Sequence, residues 1–197
     1  MAIIAPSNSE VVRETFIEGL ANMIENDEGV GGDFVSAPIT GDAPLPVYTL
    51  NAQAAATMDL TQPPGGWRYL FSLGGVPMFA DIVIESQDQL RFNSLTEGRA
   101  AEAFIEAFGW VQDFADTEAD QFMLRIVEVP AINEVAVWLH GQKDDWIFEV
   151  LRRGKQATNR PVRVFDYLSE LSADIEHSYI FSGRPTPSDH NGNDHDI

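Results

Sequence analysis

Apolar side chains recur along this chain with two different periods, and the switching between them predicts its elements. From Val12 the apolar positions continue at Phe16, Leu20, Met23 and Ile24, the spacing of one helix face. Ser7 and Glu10 stand in the Ser-x-x-Glu relation of a capping box. A helix is therefore expected from about Ser9 to Asn26, stopped by Gly29, Gly31 and Gly32. A second box, Ser94 and Glu97, precedes the stripe Ala101, Phe104, Ile105, Phe108 and Val111 and predicts a helix over about Glu97–Phe114. Gly109 inside it costs about 1 kcal/mol relative to alanine. Val164, Leu168, Leu171, Ile175 and Tyr179 predict a third helix over about Arg163–Ser178.

Extended segments lie between these helices. Trp67–Leu73 and Val76–Ile84 flank Gly74-Gly75, the pattern of a β-hairpin. Leu45–Leu50 reads as a short strand, placed near an edge or a strand start by Pro46. Leu90–Phe92 adds another after a polar turn. Phe122–Val129, Val135–Leu139 and Trp146–Leu151 form a second set, the first ended by Pro130 and the last two joined by Gly141–Asp145. Residues 29–44 and 152–161 read as loops. Ala52–Met58 suits a helical turn, and Pro63-Pro64-Gly65-Gly66 ends any regular element there.

The order α–β–β–β(–β)–α–β–β–β–α predicts an α+β fold. It has a mainly antiparallel sheet of about six or seven strands, with helices over one sheet face. A length of 197 residues suits one domain. That domain is expected over residues 1–181. Residues 182–197, polar and rich in Pro, Gly and Asp, are expected to be a disordered tail.

Charge narrows the function classes. Twelve basic against 31 acidic residues leave a formal charge of −19. That argues against a nucleic-acid-backbone binder and against docking on an anionic membrane. Only Lys143 and Lys155 are lysines, and the acids are scattered, as in a compositional bias. The absence of cysteine excludes disulfides, thiolate metal sites and thiol nucleophiles. The start, Met1 to Pro6, lacks a basic n-region, and no window approaches 18 uncharged apolar residues. A cytoplasmic location is the expectation.

No catalytic set stands out. Trp138-Leu139-His140-Gly141 is similar to the strand-then-His-Gly segment of α/β-hydrolase oxyanion holes, but no Gly-x-Ser-x-Gly elbow accompanies it. His140 reads as a strand-end residue and His177 as a complement to a helix C-terminus. His190 and His195 fall in the tail, and no metal site or cofactor is expected. The carboxylate pairs Asp81 with Glu85 and Glu128 with Glu134 bracket strand and turn segments without a diagnostic spacing. Under an alternative reading, as a small-molecule-binding domain or an enzyme of unrecognised type, Asp81, Glu85 and His140 line a pocket between sheet and helices. For partner binding the candidates are Trp67, Arg68 and Tyr69, after Pro-Pro-Gly-Gly, and Arg152 and Arg153. These two arginines open a run holding five of the twelve basic charges within twelve residues.

The element order over Ser9 to Ser178 resembles that of class I type III secretion chaperones. That family consists of small acidic cytoplasmic α+β dimers ordered α–β–β–β–α–β–β–α. This chain is longer, with additional strands and a long loop at 29–44. The resemblance implies binding of an extended segment of another protein across hydrophobic patches, possible homodimerisation and no catalytic residues. The leading expectation is therefore a non-catalytic acidic protein-interaction module: a chaperone, adaptor or assembly component. An inhibitor or immunity protein for a basic partner is a further alternative.

Overall fold

The computed structural model describes residues 3–4, 9–26, 39–41, 44–51, 62–86, 89–157 and 160–182. In chain order these form β1 (Ile3–Ile4), α1 (Ser9–Asn26), β2 (Ile39–Gly41), β3 (Leu45–Thr49), β4 (Gly66–Leu73), β5 (Val76–Ser86) and β6 (Gln89–Glu97). There follow α2 (Arg99–Thr117), β7 (Phe122–Val129), β8 (Glu134–His140), β9 (Asp145–Arg152), β10 (Lys155–Gln156), β11 (Pro161–Arg163) and α3 (Val164–Ser182). The fold is α+β, with one mainly antiparallel sheet and, among the described residues, three α-helices.

The sheet runs β10-β9-β8-β7-β3-β4-β5-β6, with β11 beside β9, β1 beside β7 and β2 beside β4. It consists of two antiparallel meanders, β4–β5–β6 and β7–β8–β9, joined through β3. That strand is antiparallel to β4 and parallel to β7. The strand count exceeds the expected six or seven because β1, β2, β10 and β11 are two or three residues long. Segments that short show no period, and β2 and β10 sit in stretches that read as loops.

Gly74 and Gly75 both take positive φ, 59° and 84°, as a two-residue hairpin turn requires. Trp67, Tyr69, Phe71 and Leu73 of β4 and Met78, Ala80 and Ile82 of β5 form one core with Val12, Phe16 and Leu20 of α1. Leu70 and Phe79 point the other way and join Phe104, Ala107, Val111 and Ala115 of α2. In the second meander, Leu124, Ile126, Val137, Leu139 and Phe148 also face α2. Val127, Ala136, Trp138 and Ile147 face Tyr167, Leu168, Leu171 and Ile175 of α3. Helices thus cover both sheet faces, not one. The strands are apolar on both sides, and water on either face would expose a row of Phe, Leu or Trp.

The second capping box does not start a helix. Ser94 and Glu97 belong to β6, opposite Asp81 and Met78, and Ser94 donates to Asp81 at 3.2 Å. α2 begins after Gly98, whose φ of 80° turns the chain, with no side-chain cap. A long β5 offered pairing to residues that local sequence marked as a cap, and tertiary pairing prevailed. Ser7, Gly29–Gly32, Ala52–Met58, His190 and His195 lie outside the described residues, as does residue 183 onward.

Candidate functional site

Trp67 and Tyr69 are 8% exposed and pack under α1, with Tyr69 stacked on Phe16 at 4.3 Å. Arg68, between them, is 4% exposed. The three do not form an outward-facing partner surface. Asp81, Glu85 and His140 do not share a pocket. Asp81 pairs with Arg68, Glu85 with Arg91, and His140 with Asp145. β5 and β8 are separated by β4, β3 and β7, about 19 Å at the usual strand spacing. Glu128 and Glu134 serve opposite sheet faces. Arg152 and Arg153 come together at the end of β9, within a single cluster. His177 lies in α3, outside the described side chains.

Four constellations stand out. The first is a buried ion triad at the junction of the meanders. Arg68 Nε and Nη2 donate to Asp81 at 2.7 and 3.0 Å, and Nη2 donates to Glu128 at 2.6 Å. The guanidinium lies 4.1 Å from the Phe79 ring centroid and 4.9 Å from that of Phe104. The triad ties β4, β5 and β7 together. A cavity of about 120 Å³ beside it, lined in part by Thr49, Asn93, Asp81 and Glu128, holds little more than water. Both acids are committed to Arg68, so the arrangement is structural rather than an acid–base pair.

The second joins β8, β9 and α3. Arg152 donates to Glu149 at 2.7 Å and to Asp174 at 2.8 Å, with Glu170 at 3.7 Å and Glu134 at 3.9 Å. Arg153, at φ 53°, adds a bond to Asp174 at 3.1 Å. Glu134 is 2% exposed, and neither its carboxylate oxygens nor the neighbouring Tyr167 hydroxyl has a hydrogen-bonding partner of proper geometry. Burial pushes the Glu134 carboxyl up to about 7, against a smaller opposing influence of Tyr167. Burial also raises Glu149 and lifts Tyr167 well above its ordinary value. The hydrogen bond from Arg152 holds Asp174 down. Four carboxylates surround two arginines: Asp174 and Glu149 are hydrogen-bonded, whereas Glu170 and the deeply buried Glu134 are approached only at 3.7 and 3.9 Å.

The third lies on β3, β7 and β8. The Arg125 guanidinium sits 4.5 Å from the Trp138 ring centroid and 5.2 Å from that of Tyr48. Trp138 Nε1 donates to Asp145 at 3.1 Å, and His140 Nδ1 lies 3.1 Å from both oxygens of that carboxylate.

The fourth is an open groove of about 750 Å³ between α1 and β6. Thr15, Glu18, Gly19, Asn22 and Met23 form its helical wall, and Leu90, Arg91 and Phe92 its strand side. A Cβ on Gly19 would overlap the Phe92 ring, so glycine is what lets helix and strand approach here. Among the described residues β6 pairs with β5 alone, and it ends the sheet.

Sequence reasoning named Arg68, Arg152 and Arg153, and named Glu134 only as a partner for Glu128, but missed Arg125 and Tyr167. A single charge inside an apolar strand, as in Met123-Leu-Arg-Ile-Val127, was the available signal for Arg125. Among the described residues no group of three His, Asp or Glu side chains is arranged to hold a metal ion, and no helix is long and apolar enough to cross a membrane. Comparison with protein-family models, curated proteins and solved structures gives no match to this chain.

Proposed function

We propose that this chain is a non-catalytic protein-interaction module that receives an extended segment of a partner protein along β6, in the groove beside α1. The observation that carries this reading is the coincidence of an unpaired sheet edge with an apolar-floored groove. An edge strand presents a row of backbone N–H and C=O groups to a further strand. Side chains alternating from that strand then enter the adjacent groove, which supplies selectivity. Leu90 and Phe92 give the groove apolar surface, and Met23, 38% exposed, gives its helical wall an apolar contact. The irregularities between the Asp81–Ser94 and Ile82–Phe92 pairs and between the Ile84–Leu90 and Ser86–Gln89 pairs leave Leu90–Phe92 as the regular run beside the groove. The resemblance to type III secretion chaperones likewise implies binding of an extended segment of another protein, there across hydrophobic patches.

The test is affinity capture from lysate of cells that express the protein. Wild type is compared with a groove variant, Thr15→Glu with Met23→Glu, and a control, Val76→Glu, at the far hairpin. The expected result is one partner that survives high salt, held by wild type and control and lost from the groove variant. Binding should slow hydrogen exchange at the β6 amides. Equal capture by the groove variant, or unchanged β6 exchange, refutes the proposal.

A further inference from the structure

We infer that Arg125, against the rings of Tyr48 and Trp138, is the centre of a binding site for a carboxylate attached to an apolar group. The inference concerns a different set of strands from the β6 groove and stands independently of it. Arg68, Arg152 and Arg163 are all wholly or partly buried, and each is ion-paired with a carboxylate. Arg125 is also partly buried, in a chain with 31 acidic residues, yet it makes no hydrogen bond or ion pair with any described residue. Withdrawing a guanidinium from water without a counter-charge is costly. The two rings offset part of that cost through cation–π attraction.

The rings are themselves fixed. Trp138 is 2% exposed, anchored through its indole N–H to Asp145, and meets Tyr48 and His140 edge-on at 5.5 and 5.3 Å. The same Asp145 carboxylate holds the His140 ring through Nδ1. Stacking occupies the face of a guanidinium and leaves its in-plane N–H donors unused. The cation thus lies against two aromatic rings, while its fork meets no acceptor among the described residues. The fork matches a carboxylate in two parallel hydrogen bonds.

One positive charge in a chain of −19 favours a monoanion over a phosphate dianion. Met123 opposes His140 in register and is 36% exposed, so apolar surface adjoins the cation. The ligand chemistry is an aliphatic carboxylate, supplied by a peptide C-terminus or by a free organic acid.

The test uses the full chain, ¹⁵N-labelled, with the Arg125 Nε–H and Trp138 indole N–H resonances followed during titration. The probes are N-acetyl-leucine, N-acetyl-leucinamide, pentanoate and inorganic phosphate. N-acetyl-leucine should shift both resonances saturably and its amide should not. Pentanoate matching N-acetyl-leucine supports the site and identifies a free acid as sufficient, whereas weaker pentanoate binding supports a peptide terminus. Arg125→Lys should weaken binding by about tenfold or more, the loss of a charge-assisted fork, and Arg125→Met should abolish it. Both variants should stay folded and melt cooperatively, since only the contacts with Tyr48 and Trp138 are altered. Equal response to acid and amide, tighter binding of phosphate, or full binding by Arg125→Met overturns the inference.

Discussion

The two most deeply buried charged side chains described, Arg68 and Glu134, are accommodated in opposite ways. Arg68 sits where three strands meet, with two carboxylates within 3.0 Å and two aromatic rings over its faces. Glu134 lies at the start of β8 beneath α3, and neither its oxygens nor the Tyr167 hydroxyl beside it makes a well-formed hydrogen bond with any described residue. The same degree of burial yields a structural tie in one case and a displaced proton equilibrium in the other. Burial sets the desolvation cost, and the number of partners decides whether the charge survives it. The Arg152 cluster that adjoins Glu134 has arginine enough for Asp174 and Glu149 but only a 3.9 Å approach to Glu134.

The sharpest way to break the contrast is Arg68→Met. It leaves Asp81 and Glu128 partly buried without their cation and should cost about 3–5 kcal/mol, the usual penalty for removing one partner of a buried pair. Chemical denaturation checks it, and adding Asp81→Asn should recover part of the loss. Recovery of nothing would mean that packing against Phe79 and Phe104, not charge, is what Arg68 contributes.

Glu134→Gln should act in the other direction. The folded carboxyl titrates near 7 against 4.5 for the unfolded chain, so the native state binds the proton more tightly. The favourable contribution is fully present below about pH 4.5 and erodes as pH rises towards 7. Above 7 the ionised form carries a penalty of about 3 kcal/mol. Glu134→Gln should flatten the stability profile between pH 4.5 and 7 relative to wild type and raise stability at pH 8. Parallel wild-type and variant profiles would show that Glu134 stays ionised in the fold.

The smallest effect expected is from Ser94→Ala, which removes one 3.2 Å bond to the exposed side of the Arg68 triad. With Asp81 still bound by Arg68, the loss should be about 0.5–1 kcal/mol. A loss as large as that of Arg68→Met would place Ser94 among the essential supports of the triad.

The elements themselves were legible where a period persisted. The helix expected over Ser9–Asn26 has those bounds, and Phe122–Val129 is a strand over its whole expected length. Trp67–Leu73 and Val76–Ile84 pair across Gly74-Gly75 as their pattern required. The site was less legible. Arg68, between two aromatics, reads as a surface residue from sequence, because alternation cannot tell a strand covered by helices on both faces from one with a wet side. Asp81 and His140 were grouped by residue type, although strand order sets them on different meanders.

The local sequence, through turn glycines and the repeat of apolar residues, determined which stretches are helix and strand and that the class is α+β. Backbone preference and side-chain period act over a few residues, so they can be read without knowing the fold. Tertiary structure alone decided that β3 joins the meanders, that Ser94 pairs in a sheet instead of capping a helix, and that Arg68 finds two acids while Arg125 finds none among the described residues and Glu134 only the distant Arg152. Those outcomes depend on contacts between residues far apart in the chain, and on the water such contacts exclude.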